Sequence, residues 1–248
     1  MSFFKGVLFL GLAASGGFAE IAKRQVSQKM TTSVIIPCSA QHFEFIHNLL
    51  DCYEQQTTLP DEVIICVSQI ERLNQTEIDV EESCHRIFPV KWYRYHRRRS
   101  AGINRNFACT IAKGDLLIFQ DADDLPHPQR VEIIKYFFEN YEINHLMHGW
   151  LQESEMFEPY DKEAIPFYSV EMYDELERVE FFRNMRIHNG NLALLRELTG
   201  QVVWDDALIC DHDVKFNREW YGEYKSNVVI PCNLITYRWR FSAFNNHW

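Results

Sequence analysis

From Thr32 onward the chain alternates short apolar runs with amphipathic stretches of helical period, and this alternation restricts the fold more than any other feature. SVIIP (residues 33–37) reads as a buried strand stopped by proline. Residues 43–56 read as a helix with Phe43, Ile46, Leu50 and Tyr53 on one face, and residues 63–67 as a second strand. A polar, acidic surface helix is expected over 74–83, a third strand over 90–96, and a helix over 100–114 with Ser100 as N-cap and Gly114 as its stop. DLLIFQ (115–120) is the fourth strand, and residues 126–141 resume as a helix with Pro128 near its first turn. Such an order builds a mostly parallel α/β sheet flanked by helices.

The second half is less regular. A strand fits 145–152, an acidic and aromatic loop 153–166, helical pieces 170–182, 192–199 and 211–220, and closing strands 227–240. The 248 residues, 46% of them hydrophobic, suffice for one such domain. The simplest division is a leader at 1–30 and a single domain at 31–248, with a nucleotide-binding half (31–130) and a second half (131–248).

A formal net charge of −10 gives no general attraction to nucleic acid or to an anionic membrane. RYHRRR (94–99) runs against that trend, as a solvated edge or as a rim that attracts phosphate. Seven scattered cysteines without a C-x-x-C pair indicate neither a disulfide framework nor a zinc ribbon, which favours a reducing compartment. The leader has a lysine, an apolar run from Val7 and a Gly17-Phe18-Ala19 site. It reads as signal-like, as a helix lying on the domain, or as a leader ahead of Met30, and it is too short to span a bilayer. The expected location is cytoplasmic, with peripheral membrane association or export as alternatives.

The fourth strand ends in Asp121, Asp123 and Asp124, and the carboxyl ends of strands are where open α/β sheets bind ligands. Clustered carboxylates repel one another without a cation, and oxygen donors suit Mg²⁺ or Mn²⁺ held with substrate phosphates. Helix capping accounts for one aspartate, Asp124, and not for three. An EF-hand loop starting at Asp121 fails because Pro126 stands where its glycine must be. A D-x-D-x-T phosphatase would need Thr or Val where Leu125 stands, and would carry the motif on its first strand.

TSVIIPCSA, PDEVIICV and SAGINRNFACTIAKGDLLIFQDADDLPHPQRVE, in that order and spacing, resemble the family 2 glycosyltransferases of GT-A fold. The resemblance is densest from Gly102 to Pro128. It implies a Rossmann-like GT-A domain and a metal-dependent, inverting transfer of sugar from a nucleotide-diphosphate sugar to a hydroxyl of a glycan, lipid or protein acceptor, with no nucleic acid involved. It also implies that Asp121 and Asp123 contact the donor and hold Mn²⁺ or Mg²⁺, that Pro37 and Ser39 line the nucleotide pocket, and that Arg105 lies close to the donor. Asp211 matches the catalytic base, with Cys210 where the family often has Glu. The earlier Asp205-Asp206 pair fits the spacing less well, and HNGN (188–191) matches an acceptor-facing loop.

Val67-Ser68 occupies the place of a base-contacting aspartate, and Ala40-Gln41 that of the usual Asn-Glu, so the nucleobase stays open. Two other readings share the acids: a nucleotidyltransferase or phosphohydrolase, and an inactive nucleotide-sugar-binding protein of the same fold. His145 and His148 read as strand residues ahead of metal ligands, and His212 and His247 as further ligand candidates. The tail YRWRFSAFNNHW reads as a lid, an acceptor platform or plain sheet packing.

Overall fold

The computed structural model describes residues 21–152, 155–183, 188–208 and 212–237. Its strands are β1 (Thr32–Ser39), β2 (Glu62–Ser68), β3 (Val90–Tyr95), β4 (Leu116–Phe119), β5 (His145–Gln152), β6 (Tyr168–Ser169), β7 (Leu192–Leu195) and β8 (Asn227–Tyr237). The helices are α1 (Ile46–Glu54), α2 (Gln75–Ser83), α3 (Ala101–Ile111), α4 (Arg130–Asn140) and α5 (His212–Glu223). All eight strands form one sheet of order β3-β2-β1-β4-β7-β5-β8-β6. The expected α/β architecture is therefore present, parallel from β3 to β4 and mixed beyond it.

The chain winds from β1 outward through β2 to β3, then returns to place β4 on the other side of β1. That reversal opens a crevice at the carboxyl ends of β1 and β4. β1 pairs with β2 as far as Ser39↔Ser68, whereas its pairing with β4 stops at Ile35↔Phe119. Pro37, which has no N–H, stands just beyond that stop, so its missing donor breaks no bond to β4.

Gly114 is needed for close approach and not as a helix cap, since α3 ends at Ile111. A Cβ there would lie 2.5 Å from the Ser33 nitrogen, and the Gly114 N–H instead donates to Ser33 Oγ at 2.8 Å. Ser100 caps α3 as expected, accepting from the Ile103 N–H at 3.1 Å. Buried Val34, Ile36, Val63, Ile65, Leu116 and Ile118 meet α1 and α4 on one side of the sheet, while Ile35, Ile64, Leu117 and Phe119 meet α3 and α5 on the other.

Three further expectations for local structure are corrected. Residues 192–195 are a buried strand and not the start of a helix, because β7 fills the slot between β4 and β5, antiparallel to both. A single 3-10 turn, Arg196–Leu198, follows it. Residues 170–182 form two short 3-10 turns, Tyr173–Arg178 and Glu180–Phe182. Asp124 does not cap α4, whose N-cap is Gln129; its N–H closes a turn onto the Asp121 carbonyl at 3.3 Å.

Residues 21–30 pack along the end of α4, through the Lys23↔Tyr141 bridge and the Arg24 N–H to the Asn140 carbonyl at 2.8 Å. Among the described residues no helix is long and apolar enough to cross a membrane.

Candidate active site

The acid loop after β4 is held from both sides. The far end of β8 zips onto it: the His127 N–H donates to the Leu234 carbonyl and the Thr236 N–H to the Leu125 carbonyl, both at 2.8 Å. Beneath it lies Arg130, fully buried in the first turn of α4. Its Nη2 donates at 2.7 Å to the carbonyls of Phe119 and Gly190, Nη1 donates at 2.5 Å to Gln120 Oε1, and Nε donates at 3.1 Å to His148 Nε2. Arg130 thus joins the end of β4 to the HNGN loop. Sequence reasoning missed it, because its partners are set only by the fold.

Asp121 is the centre of the site. Arg105, buried on α3, donates from Nη2 to Asp121 Oδ1 at 2.6 Å and from Nη1 to Asp213 Oδ1 at 2.9 Å. Asp213 Oδ2 also accepts the Asn189 N–H at 3.2 Å, and Asn217 Nδ2 donates at 2.7 Å to Asn189 Oδ1. His188 Nδ1 lies 3.4 Å from Asp121 Oδ2. Burial alone would raise the Asp121 carboxyl, but the Arg105 charge and His188 outweigh it and hold the group well below the usual carboxylate range.

Gly190 permits this closeness, since a Cβ there would sit 2.9 Å from both Asp121 Oδ2 and His188 Nδ1. Around the cluster, buried Arg105 Nε, both ring nitrogens of His188, Asn189 Nδ2 and His212 Nδ1 lack hydrogen-bond partners. Buried polar atoms left this way in one place mark where a polar ligand or ion belongs.

The expected residues fall as follows. Pro37 is buried and Ser39 half-buried at the open end of β1. Asp123 faces that end too: its Oδ2 is 4.0 Å from His42 Nε2, and its charge adds to the burial that raises the Cys38 thiol. Ligand atoms of Asp121, Asp124 and His188 lie within 4.8 Å of one another. Two carboxylates and an imidazole suit a divalent cation such as Mn²⁺, and the unpartnered His188 nitrogens fit that group. Of the two expected ligands only Asp121 belongs to this set; Asp124 and His188 complete it, and Asp123 is not among its members.

Asp211, Cys210, His247 and the tail from residue 238 lie outside the described residues. Asp213, two positions after Asp211, is the α5 aspartate seen in the site. The competing Asp205-Asp206 pair is engaged elsewhere, Asp205 with Lys215 Nζ at 2.6 Å and Asp206 with Asn106 Nδ2 at 3.2 Å. His145 and His148 are buried strand residues, bonded to Asn217 and Arg130. In the basic cluster, Arg94 pairs with Asp79 and Glu82, and the Arg99 guanidinium stacks 3.8 Å over the Tyr95 ring.

The family model described as glycosyl transferase family 2 matches residues 33–203, well over half of the chain. The chain belongs to that family. Among related proteins, an uncharacterized glycosyltransferase of Haemophilus influenzae is 32% identical over 117 residues, covering 47% of this chain and 37% of the relative. One of Methanocaldococcus jannaschii is 22% identical over 221 residues, covering 85% and 71%.

Among solved structures, S. aureus TarS 1-349 in complex with UDP-GlcNAc superposes with a TM-score of 0.67 at 19% identity, over 85% of this chain and 59% of that one. The mannosyltransferase PcManGT of Pyrobaculum calidifontis, in complex with GDP-Man and Mn²⁺, gives 0.55 at 17% identity, over 87% and 60%. The chain therefore spans 37% of the H. influenzae relative and 59% and 60% of these two structures, whose likeness is one of fold.

Proposed function

We propose that this family 2 chain transfers a sugar from a nucleoside-diphosphate sugar to an acceptor hydroxyl, with inversion and with a divalent cation. The observation that carries the reading is the Asp121–Arg105–Asp213 cluster at the β1/β4 reversal, ringed by unpartnered polar atoms. The donors named for TarS and PcManGT, UDP-GlcNAc and GDP-Man, support the substrate class, and PcManGT supports Mn²⁺.

In this reading Pro37 and Ser39 border the nucleotide, Asp123 reaches the donor from the β1 side, and Asp121, Asp124 and His188 hold the cation. When bound, the cation neutralises the diphosphate leaving group. Arg105 lies one hydrogen bond from Asp121 and brings positive charge to the same place. Asp213 takes the proton from the acceptor hydroxyl; it faces Asp121 across Arg105 and is oriented by Asn189, whereas the base expected from sequence was Asp211.

The test is a thermal-shift series with UDP-GlcNAc, GDP-Man and free UDP and GDP, with and without Mn²⁺, followed by an assay of nucleoside diphosphate release on adding acceptors. Metal-dependent stabilisation by at least one nucleotide is expected, and its loss in Asp121→Asn. Stabilisation by none would overturn the proposal.

A further inference from the structure

Away from the crevice, α1 and α2 bring a second set of metal-ligating side chains together. His47 and Asp51 stand one turn apart on one face of α1, and Glu81 near the end of α2 is three residues ahead of Cys84, which follows the helix and donates its N–H back to the Glu81 carbonyl at 3.2 Å. One ligand atom from each of His47, Glu81 and Cys84 lies within 4.8 Å of the other two. His47 Nδ1 is 2.8 Å from Glu81 Oε2, while its Nε2 is 3.6 Å from Asp51 Oδ2. A cation on Nδ1 would leave the other ring N–H facing a carboxylate, the outer partner that metal-bound imidazoles usually have.

Arg86 sharpens the case. Its Nη2 lies 3.1 Å from the same His47 Nδ1 and donates to Glu81 Oε1 at 3.0 Å. One ring nitrogen cannot donate to Glu81 and accept from Arg86 at once. A cation between Nδ1, Glu81 and Cys84 removes that conflict and leaves Arg86 its contacts with Asp51 and Glu54.

Arg86 Nε, on a side chain only 6% exposed, has no hydrogen-bond partner. Beside the cluster a cavity of about 310 Å³, lined by Glu81, Cys84, Arg86, Phe88 and Trp92, gives a way in. α2 is largely polar, with Ile78 buried, so a tie to α1 through its polar end adds what its apolar face does not.

We propose that His47, Glu81 and Cys84 form a zinc site, with water as fourth ligand and Asp51 as outer partner, clipping the end of α2 to α1. Thiolate, imidazole and one carboxylate form a softer set than the crevice offers and favour Zn²⁺ over Mg²⁺ or Mn²⁺.

The test is titration of the full chain with Co²⁺, read by the near-ultraviolet charge-transfer absorption that a thiolate ligand produces and oxygen ligands do not. One absorbing equivalent is expected, bleached by Zn²⁺, kept in Asp121→Asn and lost in Cys84→Ser and in His47→Ala. Asp51→Asn should bind Zn²⁺ about 10- to 100-fold more weakly, with its fold monitored by circular dichroism. No thiolate absorption in the wild type, or absorption that survives Cys84→Ser, overturns the proposal.

Discussion

Arg105 Nη2 lies 2.6 Å from Asp121 Oδ1, and through its Nη1 the same guanidinium reaches Asp213, so one buried cation ties the end of β4 to the first turn of α5. Each carboxylate depends on it for charge balance. Arg105→Met should therefore destabilise the chain by about 3–5 kcal/mol at pH 7, as expected when one partner of a buried pair is removed. Asp121, depressed in the folded state, contributes stability that is present above its unfolded value near about 3.9 and is lost as pH falls below it. Without Arg105 that acid-side slope should flatten. Urea unfolding at several pH values checks both.

Asp213→Asn should lower turnover by about 10²- to 10⁴-fold while leaving metal-dependent nucleotide binding in place, the pattern of a lost general base. Asp211→Asn is expected to change turnover only a few-fold. Nucleoside diphosphate release, measured beside the thermal shift, separates the two aspartates. The reverse ranking would return the base to Asp211.

Gly190→Ala would put a methyl 2.9 Å from Asp121 Oδ2 and from His188 Nδ1, so the groups it crowds are those read as metal ligands. A loss of about 1–3 kcal/mol in stability is expected from the overpacking. Mn²⁺ affinity should fall by about tenfold, as seen in Mn²⁺ titrations at saturating nucleotide.

His145 is pushed down from 6.5 to about 4 by burial, which its bond to Asn217 offsets only in part. The unfolded chain then binds the proton more readily between those values, so stability falls as pH drops from 6.5 to 4. At full extent the loss is about 3 kcal/mol. His145→Gln should reduce the loss measured between pH 7 and pH 5 by denaturant titration.

Legibility from sequence followed the range of the interactions involved. β1, the Ser100 cap and the strand ending in Asp121, Asp123 and Asp124 are local patterns, and each is where it was expected, although β1 runs past Pro37 to Ser39 and is not stopped by it. LALL at 192–195 is too short for its period to tell helix from strand, and it is a strand because the slot between β4 and β5 is open to it. Arg130 carried no local signal, and His188 stood out only as part of the HNGN loop, not as a neighbour of Asp121. Their partners lie on other elements, as with Arg130 and the Gly190 carbonyl.

The sequence by itself determined the order of strands and helices from β1 to α4, the crevice at the end of β4 and the acids that face it, because hydrophobic period, turn chemistry and motif spacing are written along the chain. Only the tertiary structure decided which groups share a charge and which are left without a partner. Arg105 and Asp213 are 108 residues apart and meet at 2.9 Å. Such pairing exists only once α3 and α5 have packed side by side on one face of the sheet, where burial strengthens each charge contact and makes each missing one costly.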